Sequence, residues 1–109
     1  MEITIMSTYP VNVKANTTTI KTAATHTIFD GPARCLGIYM AQPKDTTAST
    51  VTIEDEGTAV AFFDLPATDD ASNKGAITQY VQFPGTGIKC DTSLKVTLSA
   101  ATPVTVFYG

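Results

Sequence analysis

Tryptophan is absent, histidine occurs once (His26) and cysteine twice (Cys35 and Cys90). Each scarcity excludes a class of function. With one histidine, any nucleophile–base pair built on imidazole would have to use His26, and no G-x-S-x-G elbow accompanies it. His26 therefore reads as a strand residue beside a turn, and the chain as not an enzyme. Two cysteines far apart, with no C-x-x-C spacing, do not make a four-ligand zinc site. They read as reduced, buried thiols, with a disulfide between them as the alternative. Charge is sparse at 16% of residues, with a net charge of −3, whereas nucleic-acid binders carry a basic face. No apolar run approaches the roughly 20 residues of a membrane span. The start, MEITIMST, has no basic stretch leading into an apolar one, so it predicts folding in a cytoplasm. Leucine, glutamate and lysine, the builders of solvent-facing helices, are few.

Threonine is the commonest residue, and β-branched side chains suit the half-buried surface of a sheet. Length allows one domain over residues 1–109. No stretch holds a 3.6-residue period over ten positions, whereas period-two runs recur. Ile3 and Ile5 mark a first strand, with residues 1–6 a candidate N-terminal arm or edge strand. Val11 and Val13 start a second run. Residues 17–22 form a polar strand with Ile20 its only strong apolar residue, which predicts an edge. Residues 26–29 close on Asp30-Gly31-Pro32, a turn signal. Leu36, Ile38 and Met40 form one face of the next run; Cys35, Gly37 and Tyr39 form the other. Gln42 opens a polar loop that runs to Ser49. Val51 and Ile53 alternate with polar residues up to an acidic turn, Glu54-Asp55-Glu56-Gly57. Ala59, Ala61, Phe63 and Leu65 then share a face opposed by Val60 and Phe62.

Residues 66–75 are the longest loop. Ile77, Val81 and Phe83 follow on one face, and Pro84-Gly85-Thr86-Gly87 turns the chain into its final segment. There Leu94, Val96 and Leu98 alternate with Lys95, Thr97 and Ser99. After Pro103 the rhythm returns in Val104, Val106 and Tyr108. These two runs read as a β-hairpin. All six prolines lie between or at the margins of apolar runs. Eight to ten short strands in one domain predict an all-β, two-sheet antiparallel β-sandwich of the jelly-roll or immunoglobulin-like kind.

No metal or cofactor site emerges. Asp69, Asp70 and Asn73 lack the spacing of a calcium loop, and the carboxylates of residues 54–56 read as solvated turn tips. Asn16-Thr17-Thr18 matches a glycosylation sequon by pattern. Gly85-Thr86-Gly87 lacks the helix and lysine of a phosphate loop. The informative surplus is apolar: Cys35, Tyr39, Val60, Phe62 and Phe107 fall opposite the inferred core faces. They form either an exposed contact patch or the second half of the core, with a register slip. Tyr39, Val60, Phe62 and Phe107 are the candidate subunit contacts.

Several segments carry a resemblance. Gly37-Ile38-Tyr39, the Thr-Val-Thr-Ile strand at residues 50–53 and Asp64-Leu65-Pro66 come first. Phe83-Pro84-Gly85-Thr86-Gly87-Ile88, the Ser-Leu-x-Val-Thr-Leu run and the closing Val-Thr-Val-Phe-Tyr-Gly follow. Over about two-thirds of its length, in this order, the chain resembles small virion proteins of tailed bacteriophages. The resemblance implies a β-sandwich that coats or joins parts of a virion, as a head decoration or cement protein assembled in the host cytoplasm. It also implies a symmetric homo-oligomer, a trimer being one form, on the major capsid protein or another virion protein. It supplies no catalytic residue. The alternative is a receptor- or carbohydrate-binding sandwich of a tail or neck, for which Tyr9, Tyr39 and Tyr80 are the available aromatics.

Overall fold

A computed structural model describes residues 16–69 and 75–109. The expected arm at residues 1–6, the strands at Ile3 and Val11, and Tyr9, Asp70 and Asn73 lie outside the described residues. Nine strands and no helix occur among the described residues. They are β1 (Asn16–Ile20), β2 (Thr25–Phe29), β3 (Ala33–Gln42), β4 (Ser49–Asp55), β5 (Thr58–Leu65), β6 (Ile77–Gln82), β7 (Ile88–Cys90), β8 (Leu94–Leu98) and β9 (Val104–Tyr108). One sheet has the order β1-β9-β3-β6, with β7 also on β3; the other has the order β2-β8-β4-β5. Every pairing is antiparallel, and the fold is a two-sheet β-sandwich.

The core forms where the inward rows of the two sheets meet. Ile38, Met40, Val104 and Val106 come from the first sheet, and Val51, Ile53, Val96 and Leu98 from the second, all essentially inaccessible to solvent. The alternation of β4 and β8 is carried into the structure unchanged, because each strand has one face on the core and one in solvent. Aromatic pairs close both flanks: Phe29 meets Tyr108 with centroids 6.1 Å apart, and Phe63 meets Phe83 at 6.2 Å.

Three sequence expectations are corrected. The final two runs are not a hairpin, because β8 belongs to one sheet and β9 to the other. Their inward rows face each other across the core instead of lying side by side. Residues 99–103 therefore carry the chain between layers, with the Pro103 carbonyl accepting from the Ala41 N–H. The second correction is in β3. Cys35 pairs with Tyr108 and Gly37 with Phe107, so Leu36 is an extra, bulged residue. The bulge inverts the phase of the strand. Ala33 and Cys35 point inward before it, and Ile38, Met40 and Gln42 after it. Cys35 is thus core, as the reading of a buried thiol and a register slip expects, and Leu36 is not in the row with Ile38 and Met40. The third correction is in β5. Ile53 pairs with Ala61 but Glu54 with Ala59, so Val60 is bulged and Ala59 turns out to solvent. Ala61, Phe63 and Leu65 keep the inward face that their alternation predicts.

The turn between β4 and β5 is tight because Glu56 (φ 49°) and Gly57 (φ 93°) both take positive φ, the geometry that matches strand twist in a two-residue hairpin.

Candidate functional site

The sandwich divides the four predicted contact residues between two opposite outer faces. Tyr39 and Phe107 lie on the first sheet, Val60 and Phe62 on the second. They do not form one patch.

On the first sheet, Tyr39 stands opposite Tyr80 of β6 and Thr105 of β9. Phe107 stands opposite Gly37, itself opposite Gln82. Gly37 is what lets the rings meet. A Cβ there would lie 3.0 Å from the Tyr80 hydroxyl and 3.1 Å from the Val81 carbonyl. Tyr80 fills that space and takes Phe107 edge-to-face, with centroids 5.9 Å apart and planes at 87°. Tyr80 remains 55% exposed and Tyr39 40%. The registered neighbours of this cluster are uncharged: Thr17, Thr19, Thr105 and Gln82. Arg34 and Lys89 come next only beyond the bulge. The sequence contains Tyr80 as an isolated tyrosine, and only the β3–β6 register places it beside Tyr39.

On the second sheet, Phe62 is 58% exposed and Val60 39%. Phe62 begins a transverse row that continues through Thr52, Thr97 and Thr25. The last two threonines share a hydrogen bond of 2.8 Å, and Thr97 Oγ1 donates to Glu54 Oε2 at 2.8 Å. A shallow hollow of about 400 Å³ is lined by Ala48, Ser49, Thr50, Asp64, Leu65, Pro66 and Ser99.

His26 and the acidic turn serve the structure. His26 Nε2 donates to the Thr22 carbonyl at 2.8 Å and lies 3.2 Å from the Thr22 hydroxyl, holding the turn before β2. The acidic turn is solvent-accessible, with Glu56 exposed, and it also acts as a clamp. The Asp55 carboxylate accepts backbone N–H groups of Asp91, Thr92 and Ser93 at 2.9, 3.0 and 3.2 Å. Those bonds, led by that from Asp91, hold its carboxyl below its usual range. Glu56 accepts from the Ser93 hydroxyl at 2.7 Å and from Lys95 at 3.3 Å, and both partners lower its carboxyl.

Cys35 and Cys90 are free and buried. Cys90 pairs with Ala33 and Ile88 with Cys35, so the two thiols are diagonal neighbours. Burial, and then the neighbouring Cys90, push the Cys35 thiol up to about 12. Burial, then Asp55 and Asp91, raise Cys90. Thiols so raised are poor nucleophiles and metal ligands. Among the described residues no group of three His, Cys, Asp or Glu side chains is placed to hold a metal ion.

A buried polar knot ties one end of the sandwich. Gln42, 1% exposed, donates from Nε2 to the carbonyls of Thr47 (2.7 Å) and Pro66 (3.3 Å). Its Oε1 accepts from Ser49 (3.2 Å) and Thr102 (3.0 Å) hydroxyls. The sequence places Gln42 at the start of a polar loop; in the structure it ends β3 on the inward row. Among the described residues no buried side-chain polar atom lacks a partner.

No protein-family model, no curated protein and no solved structure matches the chain.

Proposed function

We propose that the chain is a non-enzymatic structural protein of a bacteriophage virion, acting as a capsid decoration or cement protein. One observation carries the reading. A sandwich whose described buried polar groups are all engaged presents exposed aromatic and aliphatic side chains on two opposite outer faces. A slab that is adhesive on both sides can hold one neighbour on each, which is what joining shell components requires. Many weak contacts repeated over a symmetric shell then add up. The phage assignment itself rests on the sequence resemblance, and so does its place in the particle, built in the host cytoplasm. The contact residues are Tyr39 and Phe107 on one face and Val60 and Phe62 on the other. Partners are copies of the chain and a capsid protein.

The test is co-sedimentation with phage heads, together with the thermal stability of heads with and without the protein. Binding that raises the temperature of head disruption supports the role. Absence of binding to any virion component rejects it.

A second reading is favoured by the cluster of Tyr39, Tyr80 and Phe107. Neutral, flat rings flanked by Gln82 and threonine hydroxyls suit stacking on a sugar. A glycan array on the wild type and on Tyr80→Ala separates this tail- or neck-type receptor module from the first reading.

A further inference from the structure

Among the described residues, the lateral edges of the two sheet orders are β1 and β6 in one and β2 and β5 in the other. Three are short or polar: NTTTI, ITQYVQ and THTIF. β5, with the sequence TAVAFFDL, differs. It is eight residues long, apolar on both sides and charged only at Asp64. Lysine and proline, the usual guards of a free edge, are missing from it. The Val60 bulge interrupts only its first half and leaves residues 61–65 regular.

The direction of its free backbone groups follows from the neighbouring strand. The Thr50 N–H donates to Ser99 Oγ at 2.7 Å, and the Thr50 carbonyl accepts the Ser99 N–H at 3.1 Å. Thr50 thus points its backbone groups away from β5. By alternation Val51 and Ile53 point theirs toward it, opposite Phe63 and Ala61. Phe62 and Asp64 therefore turn their N–H and C=O outward, at the edge that no strand among the described residues covers.

The geometry points to a second copy of this chain as the occupant of that edge, paired β5 to β5 about a two-fold axis at Phe62. The inference rests on the reading of the chain as a self-associating structural protein. In this register Phe62 faces Phe62 of the second copy, and each donates its N–H to the other's carbonyl. Ala61 faces Phe63 of the second copy, small against large. Val60 faces Asp64, so the two Asp64 carboxylates do not oppose each other. The aromatic cross-strand pair is a favourable one, and the self-complementary pattern is what an isologous contact needs. The two four-stranded sheets become one continuous sheet through the dimer.

Sedimentation velocity and cysteine cross-linking test it on the full chain. Wild type should sediment at twice the chain mass. Phe62→Lys, which sets two like charges at the axis, should lose that doubling while keeping a cooperative melting transition and the wild-type circular dichroism spectrum, its melting temperature no longer depending on protein concentration. Phe62→Cys supplies an independent arm. Directly opposed hydrogen-bonded residues lie about 5.5 Å apart at Cα, within disulfide reach. Oxidised Phe62→Cys should run as a covalent dimer, and Tyr80→Cys on the other sheet should not. A wild type that is monomeric overturns the inference, as does a dimer unaffected by Phe62→Lys or cross-linking no better at 62 than at 80. Head co-sedimentation keeps the two readings apart. A monomer that binds heads removes the β5 contact and leaves the proposed role standing; a β5 dimer that ignores heads does the reverse.

Discussion

Gln42 offers the sharpest test of how this sandwich is held together. Replacing it by leucine keeps its bulk but removes four hydrogen bonds, to Thr47, Pro66, Ser49 and Thr102. The carbonyls of Thr47 and Pro66 belong to exposed residues and can turn to water. Ser49 and Thr102 are buried, at 3% and 1% exposure, and cannot. They remain bonded to each other at 2.9 Å, which leaves one hydroxyl hydrogen without an acceptor. Net bonds of about 1 kcal/mol or less each, plus one orphaned buried donor, sum to about 3 kcal/mol. Unfolding entropy scales with length, so for 109 residues about 1 kcal/mol moves the midpoint by about 4 °C. Gln42→Leu should therefore melt about 12 °C below wild type by circular dichroism. It should also shift the urea midpoint without changing the slope. Adding Ser49→Ala and Thr102→Val should restore part of the loss, since no polar group is then left waiting for a partner. A Gln42→Leu loss under about 1 kcal/mol would falsify the view that this knot holds the end of the sandwich.

Other outcomes follow from single sites. Asp55 and Glu56 both have carboxyls lowered in the fold. Their contribution is present above the unfolded carboxylate value of about 4 and is lost as pH falls through the lower folded values. A melting-temperature series against pH should show that acid loss, and Asp55→Asn should flatten it. An unchanged pH profile in the variant would contradict the clamp. Cys35 and Cys90 should resist a thiol reagent in the native protein at mildly alkaline pH and react fully in denaturant. Rapid native labelling would contradict their burial. Gly87 has φ +86°, and a Cβ there would collide with the Cys35 carbonyl, whereas Gly85 at φ +65° faces open space. Gly87→Ala should cost about 2 kcal/mol or more and Gly85→Ala about 1 kcal/mol in chemical denaturation. Equal costs would argue against the close approach of the turn to β3.

The candidate faces were legible in part. Val60 and Phe62 stand out on β5 because both sides of that run are apolar, and the structure leaves them exposed. The sequence leaves Cys35 open between an outer patch and the core; the Leu36 bulge, which no residue type announces, inverts the strand and puts it in the core. Tyr80 joins Tyr39 and Phe107 only through register, a long-range property.

Alternation at period two is carried by neighbouring residues. The sequence by itself therefore determined that the chain is all-β, where the runs at residues 51–53, 94–98 and 104–108 lie, and which of their residues turn inward. It did not determine which strand lies beside which. An alternating strand buries its apolar row equally well beside a partner in one sheet or across from it in the other. Tertiary packing made that choice for β8 and β9, placing them in opposite layers. In doing so it set Tyr39 and Phe107 on one outer face and Val60 and Phe62 on the opposite one, and left β5 at the edge of its sheet among the described residues.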